Sequence, residues 1–281
     1  MIKKISISFA VLVLLGGGFF AFSIYPFFSK MNQTNQIDYD NQLTILLGEG
    51  GNSAILVGEE SVLVVDTKML GGASKLYELV MQKANGKKII LVNTHLHGDH
   101  TMGNQKYKDA TIYAGNYSLD VWKKENGDQA IPTNWVKDQE VLTIGDETVI
   151  IKNLGQAHTF SDVVVFFKKR KILFMGDLLT NGFHPFFKKE NGTIAEQYAV
   201  KQKAALEEFQ PTKIVPGHGP MGGMELVKEF QQYFDDIKAV ALGKMNREFV
   251  EEKYHDWPGF LHMSGIGPSI RFYKEELGQS Q

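Results

Sequence analysis

"IILVNTHLHGDHTMGN", residues 89–104, joins four consecutive apolar side chains to a segment that carries three histidines and an aspartate between His95 and His100. The run from Ile89 to Val92 is continuous rather than alternating, the pattern of a strand buried on both faces. If the chain stays extended beyond it, His95, His97 and Asp99 project to one side, Gly98 permits a sharp turn, and His100 swings round at the entry to a helix. Imidazole nitrogens and carboxylate oxygens gathered in this way make sense as ligands of a shared cation such as zinc, because three histidines without one would repel on protonation. With 8 histidines in 281 residues, this spacing arises by chance about 3 times in 10,000. The competing reading is a solvated polar loop.

On either side of this block, short apolar runs separated by turn residues read as strands: Leu43 to Leu47, Ser53 to Val57, Ser61 to Val65, Thr111 to Ala114, Val141 to Ile144, Thr148 to Lys152, Val163 to Phe167, Ile172 to Met175 and Lys213 to Val215. Helical spacing of apolar residues predicts helices over Ser74–Ala84, Ala195–Glu208 and Met224–Met245, then a helical tail from Glu248 to Leu277 broken at Pro258 and at Gly265 to Pro268. Hairpins, interleaved helices, more hairpins and terminal helices imply an α/β protein with two packed sheets and helices outside. A Rossmann fold is excluded, because no Gly-x-Gly-x-x-Gly follows the first strand.

Three polar residues outside the block sit where these strands end. His158 lies in Gly155-Gln156-Ala157-His158-Thr159, Asp177 in Met175-Gly176-Asp177, and His218 in Pro216-Gly217-His218-Gly219. Singly each is weak, since a loop histidine is usually structural and an aspartate after glycine is usually a turn residue. With the block they make a set of seven.

Together with Asp66 in Leu63-Val64-Val65-Asp66-Thr67, these motifs resemble, in order, those of the metallo-β-lactamase-fold hydrolase superfamily, over about Leu43 to Pro220. The resemblance implies a four-layer αβ/βα sandwich with two divalent metal ions, zinc foremost, at the strand ends. His95, His97 and His158 would bind the first metal, Asp99, His100 and His218 the second, and Asp177 would bridge them, with Asp66 orienting a ligand imidazole. A chain without cysteine cannot be a β-lactamase of the cysteine-ligand branch, which also carries arginine where His100 stands; the site is more similar to the glyoxalase II, lactonase and esterase branches. The implied reaction is attack by a hydroxide shared by the metals on an ester, lactone, thioester or similar carbonyl of a small molecule, with Asp99 as the catalytic carboxylate. The alternatives are β-lactam hydrolysis, a mononuclear iron oxygenase of the persulfide dioxygenase kind, and a non-catalytic surface domain that keeps its metals as staples. There is no Gly-x-Ser-x-Gly elbow for a serine mechanism.

The remaining histidines divide. His184, in the aromatic-rich stretch Phe183-His184-Pro185-Phe186-Phe187, is a candidate substrate contact on a loop that could wall a pocket, or an ordinary loop residue packed on Pro185. His255 and His262 lie beside Trp257 and Phe260 and read as packing residues.

A formal charge of −2 with scattered lysines leaves no basic stripe for nucleic acid. Arginine is confined to Arg170, Arg247 and Arg271, so substrate recognition by arginine forks is not expected. Lys3 and Lys4 ahead of the apolar stretch from Ile5 to Phe28 read as an export signal, cleaved after Ser23 or kept as a membrane anchor. Either form places the protein outside the cytoplasm. The expected division is residues 1–29 as signal or anchor, 30–42 as a polar linker, 43–220 as the catalytic domain and 221–281 as a C-terminal helical extension.

Overall fold

The computed structural model describes residues 25–128, 130–260 and 263–278. One sheet has seven strands in sequence order: β1 (Asn35–Asp38), β2 (Leu43–Leu47), β3 (Ser53–Val57), β4 (Ser61–Val65), β5 (Lys88–Val92), β6 (Thr111–Gly115) and β7 (Asn134–Val136). Strands β1 to β4 pair antiparallel, and β4 to β7 pair parallel. The second sheet has five, β8 (Gln139–Ile144), β9 (Glu147–Gly155), β10 (Asp162–Phe167), β11 (Ile172–Thr180) and β12 (Lys213–His218), of which β11 and β12 are parallel.

Alternation along the buried strands assigns each side chain to a layer. In β4, Leu63 and Val65 join the core between the sheets, while Val62 and Val64 face outward onto α1 (Leu70–Ala84) through Leu76 and Val80. In β10, Val163, Val165 and Phe167 face the first sheet, and Val164 and Phe166 face the opposite helical layer. Period-two packing on both faces explains why these runs lack polar residues. Each fully buried aliphatic or aromatic side chain contributes about 1.5–3 kcal/mol of transfer free energy. The layers are therefore helix, sheet, sheet, helix, as the α/β sandwich reading expects.

The outer layer over the second sheet is made by α4 (Gln197–Phe209), α5 (Met224–Ala241) and α7 (Ile266–Glu276), whose Tyr198, Phe230, Phe234 and Ile270 share a core with Val164 and Leu173. The C-terminal helices are thus a layer of the sandwich. Shorter α-helices among the described residues include α2 (Gly98–Thr101), α3 (Leu119–Asn126) and α6 (Arg247–Lys253).

Several elements depart from the sequence expectation. Residues 35–38, expected within a linker, pair with β2 as an edge strand from Asn35↔Leu47 to Asp38↔Thr44. Their polarity suits an edge, with three of the four side chains exposed. Residues 25–31, expected to belong mostly to a signal or anchor, are helical and dock on the body, where the Glu49 N–H donates to Met31 O at 2.6 Å. Helix α1 begins at Leu70 because tertiary packing overrides the low helix propensity of Gly71-Gly72. Residues 1–24 lie outside the described residues, and no described helix is long and apolar enough to cross a membrane.

Arg170 ties the two sheets together near one edge. Its guanidinium donates to Asp40 Oδ2 at 2.6 Å, to Gln42 Oε1 at 2.9 Å and to Glu147 Oε2 at 2.8 Å. Three planar donors used at once need an arginine.

Candidate metal centre

All seven sequence-selected ligands converge at the carboxyl ends of strands, the usual position for a site in an open α/β sheet. His95 and His97 stand in the loop after β5, His158 in the β9–β10 connection, Asp177 in β11 and His218 at the end of β12. Asp99 and His100 depart from the extended reading: α2 starts at Gly98 with His97 as its N-cap, so one helical turn carries both. Gly98 does not have a positive φ, so the turn needs no left-handed residue there.

The ligand atoms of His95, His97 and His158 lie within 4.8 Å of one another, as do those of His95, His100 and Asp177, and those of Asp99, His100 and His218. His158 Nε2 is 3.0 Å from His97 Nδ1, and His218 Nε2 is 3.1 Å from Asp99 Oδ2. Asp177 touches both triads, with Oδ1 3.2 Å from His100 Nε2 and Oδ2 3.6 Å from His158 Nε2 and 3.5 Å from His218 Nε2. Two nitrogen ligands on one tetrahedral zinc stand about 3.3 Å apart, given bonds near 2.0–2.1 Å. These spacings fit such a cage. Buried polar atoms almost always have partners, yet His95 Nε2 and His97 Nε2 are buried without any. A cation is the partner that suits imidazole and carboxylate lone pairs alike. The chain has no cysteine, so every donor is nitrogen or oxygen.

The two triads differ in charge. Burial holds His95 and His97 below the usual imidazole pKa, and burial followed by repulsion from His97 brings His158 down to about 3. These three imidazoles are neutral and offer lone pairs. Burial also opposes charge on His100, but the carboxylates of Asp99, Asp66 and Asp177 outweigh it and raise that imidazole well above its usual value. His218 follows the same balance and rises to about 9. Burial pushes Asp99 and Asp177 up, yet the neighbouring His100 and His218 bring both below the usual carboxylate range. Without metal, protons on His100 and His218 compensate the carboxylates.

Two of the ligand imidazoles, His100 and His158, are oriented from behind. Asp66 accepts from Thr94 N at 2.8 Å and Thr94 Oγ1 at 2.7 Å, and its Oδ2 lies 2.7 Å from His100 Nδ1. Since an ionised carboxylate only accepts, His100 Nδ1 carries hydrogen and Nε2 is left for the cluster. Asp66 holds this place with φ of 50°, a left-handed conformation that aspartate tolerates better than most residues. His158 Nδ1 lies 2.7 Å from Tyr198 Oη, which directs its Nε2 inward when Nδ1–H donates. Asp162 clamps that loop by accepting from the N–H groups of Ala157, His158 and Thr159 and from Thr159 Oγ1. Asp162 and Tyr198 were not read from the sequence. An aspartate four residues after His158, in a Thr-x-Ser-Asp turn, is the signal that was there to use.

Two glycines let the cluster close. A Cβ on Gly217 would stand 1.8 Å from Asp177 Oδ1, and one on Gly51 would stand 2.3 Å from His100 Cε1. The β2–β3 turn that carries Gly51 is held in place by Lys68, whose ammonium donates to the carbonyls of Leu46, Gly48 and Gly51. Burial pulls this amine down to about 7, while three carbonyls match the three N–H donors of its charged form.

Above the cluster lies a cavity of about 360 Å³, with His97, Asp99, Asp177 and His218 at its floor. His184 borders it, but its Nδ1 lies 3.0 Å from Tyr233 Oη and its ring packs on Tyr233 and Trp257. His255 is not a packing residue: it is exposed, with Nδ1 2.7 Å from Glu252 O. His262 lies outside the described residues.

Fold and site together define a two-sheet sandwich with a histidine- and aspartate-lined centre at its strand ends. The chain belongs to the metallo-beta-lactamase superfamily, whose family model matches residues 47–218. It is 25% identical over 196 residues to a metallo-beta-lactamase type 2 of Elizabethkingia meningoseptica, covering 64% of this chain and 76% of that one. It is 24% identical over 189 residues to a protein of the same description from Bacteroides fragilis, covering 64% and 74%. Among solved structures, a metallo-beta-lactamase from Pontibacter korlensis superposes with a TM-score of 0.63 at 16% identity, covering 73% of this chain and all (100%) of that one, and so supports the fold alone.

Proposed function

We propose that this protein is an exported, dinuclear metal-dependent hydrolase of a small carbonyl substrate: an ester, lactone or thioester. The observation that carries the reading is the pair of buried, unpartnered atoms His95 Nε2 and His97 Nε2 beneath an open cavity. His95, His97 and His158 hold one ion, Asp99, His100 and His218 the other, and Asp177 reaches both, in keeping with its contacts to the two triads. Divalent ions there, zinc foremost, supply a water acidified to a pKa of about 7 and positive charge against a developing oxyanion.

The chain's own groups supply position and proton traffic. Asp99 borders the cavity, where its carboxylate accepts the proton of the attacking water and delivers it to the leaving group. The Asp66–His100 and Tyr198–His158 pairs keep both imidazoles facing inward. His184 is a candidate substrate contact at the rim. The names of the relatives favour a second substrate, a β-lactam, whose amide carbonyl makes the same demands on the site. The lysines and apolar run ahead of residue 25 support an extracytoplasmic location, which mass spectrometry of the mature N-terminus checks.

Metal analysis beside a panel of esters, lactones, thioesters and β-lactams tests the proposal. We expect two ions per chain and turnover on the panel, with His97→Ala and Asp177→Ala each losing metal and at least about 1,000-fold in kcat/KM. Full turnover by metal-free protein, or one iron per chain with oxygen uptake, would refute it.

A further inference from the structure

The walls of the cavity are chemically lopsided. One wall is aromatic and runs from the rim to the ligands: Phe27 stands 5.1 Å from Phe260 and 6.2 Å from Phe183 between ring centroids. Phe183 in turn lies 5.8 Å from His218, and Phe186 lies 5.7 Å from His97. Met31, Met102 and Met263 face the same space, and thioether side chains adapt to irregular apolar ligands. Phe27 and Met31 come from the helical turn of residues 25–31, so the segment next to the apolar N-terminal stretch builds part of the substrate chamber.

Apart from the ions proposed at the floor, the cavity lining carries one lysine among the described residues, and that lysine is paired. Lys188 Nζ is 3.0 Å from Glu125 Oε2, and Asn191 Nδ2 donates to the same oxygen at 3.1 Å. Lys30 does not line the cavity; its ammonium lies 5.1 Å from the Phe183 ring centroid and donates to Gly182 O at 2.7 Å and to Asp256 O at 3.2 Å. No arginine lines the cavity among the described residues. A substrate carboxylate would compete with Glu125 for Lys188 while lying beside Glu125 itself, a like charge. A hydrocarbon arm meets no such cost and buries against phenylalanine and methionine.

Resting on the hydrolase reading above, we propose that the cavity takes a neutral ester or lactone with a hydrocarbon arm, that Phe27 sets the length of arm accepted, and that Glu125, by holding Lys188, turns away substrates bearing a carboxylate. Both are specificity-determining residues.

The test uses the full chain loaded with metal, a series of p-nitrophenyl esters from acetate to decanoate, and a chromogenic cephalosporin with a free carboxylate. Each added methylene should raise kcat/KM up to about fourfold until the cavity fills. Phe27→Ala should cut the decanoate-to-acetate ratio at least tenfold, and Phe27→Leu should restore most of it, which separates lost contact from a loosened turn. Glu125→Gln should raise cephalosporin turnover relative to acetate at least fivefold. A flat chain-length profile, or ratios unmoved by these variants, overturns the proposal while leaving the hydrolase reading intact. If no ester or lactone turns over, the hydrolase reading falls, and binding of 1-decanol measured by calorimetry decides the cavity separately. Saturable binding weakened at least fivefold by Phe27→Ala supports it, and equal binding overturns it.

Discussion

The floor and the rim of the cavity are built on opposite principles. The floor consists of short polar side chains gathered near strand ends, two of them fixed by a partner behind, Asp66 behind His100 and Tyr198 behind His158, while Gly217 gives room to Asp177. The rim consists of large apolar side chains from segments far apart in sequence, Phe27, Met102, Phe183 and Phe260, of which Phe27 meets Phe183 edge to face and Phe260 at a tilt. A floor held by hydrogen bonds keeps ligands within the tolerance that metal binding demands. A rim held by dispersion tolerates changes of shape, so chemistry and selectivity are divided between parts of different stiffness.

The sharpest way to break this contrast is to disturb the floor by a single methyl. Gly217→Ala would place Cβ 1.8 Å from Asp177 Oδ1, so the carboxylate must turn away from both triads. Metal affinity should fall about 100-fold or more, and because the Cβ also meets Gly176 C at 2.7 Å and Asp177 N at 2.8 Å, the β11 backbone must shift and some stability is lost with it. Gly71→Ala, where a Cβ meets nothing within 4 Å, is the control. Calorimetric titration of metal-stripped protein with Zn²⁺ measures both. If Gly217→Ala binds like the unaltered chain, the floor is not as tightly built as its contacts indicate.

A second, smaller effect sharpens the contrast through pH. The folded-state pKa of His218 is raised to about 9 from the usual imidazole value of 6.5, and that of His100 is raised as well. A raised imidazole contributes stability that is fully present below the unfolded pKa and is lost as pH rises through the folded one. Metal-stripped protein should therefore lose on the order of 2–3 kcal/mol of stability between pH 6.5 and about 9. Metal-loaded protein should not, since there the ions replace the protons. Thermal melts of both forms across that window give the answer; parallel curves would show that the compensating protons do not sit on these imidazoles.

The same contrast governs what could be read from the sequence. The floor was legible because polar residues beside apolar strands are conspicuous, and the spacing of His95, His97, Asp99 and His100 has few other uses. Strands β2 to β5 and β10 were legible because burial on two faces removes polar residues from them. The rim was not, because Phe183 and Phe260 carry no mark that separates a cavity wall from a core, and Phe27 lies in a stretch that reads as leader. Edge strand β1 and β7, of four and three residues, were too short and polar to show a period. Asp162 left only a faint mark, the Thr-x-Ser-Asp turn after His158, because most of its partners are backbone N–H groups, which residue types do not reveal.

The smallest expected effect concerns the tether of the rim. Lys30 fixes the N-terminal turn by donating to Gly182 O and Asp256 O, and its ammonium sits 5.1 Å from the centroid of the Phe183 ring. Burial lowers its pKa, so part of what the contacts contribute is offset by desolvation. Lys30→Met keeps the length of the side chain and its apolar packing while removing both hydrogen bonds and the cation–π contact. Global stability should change by about 1 kcal/mol or less, and metal content not at all, because no ligand leans on this residue. The turn that carries Phe27 should loosen, and discrimination between long and short esters should fall about two- to threefold, within the range of one modest rim contact. Measuring metal content and that ratio on one preparation sets the two parts of the cavity against each other. Loss of metal in Lys30→Met comparable to that in Gly217→Ala would mean that rim and floor form a single mechanical unit.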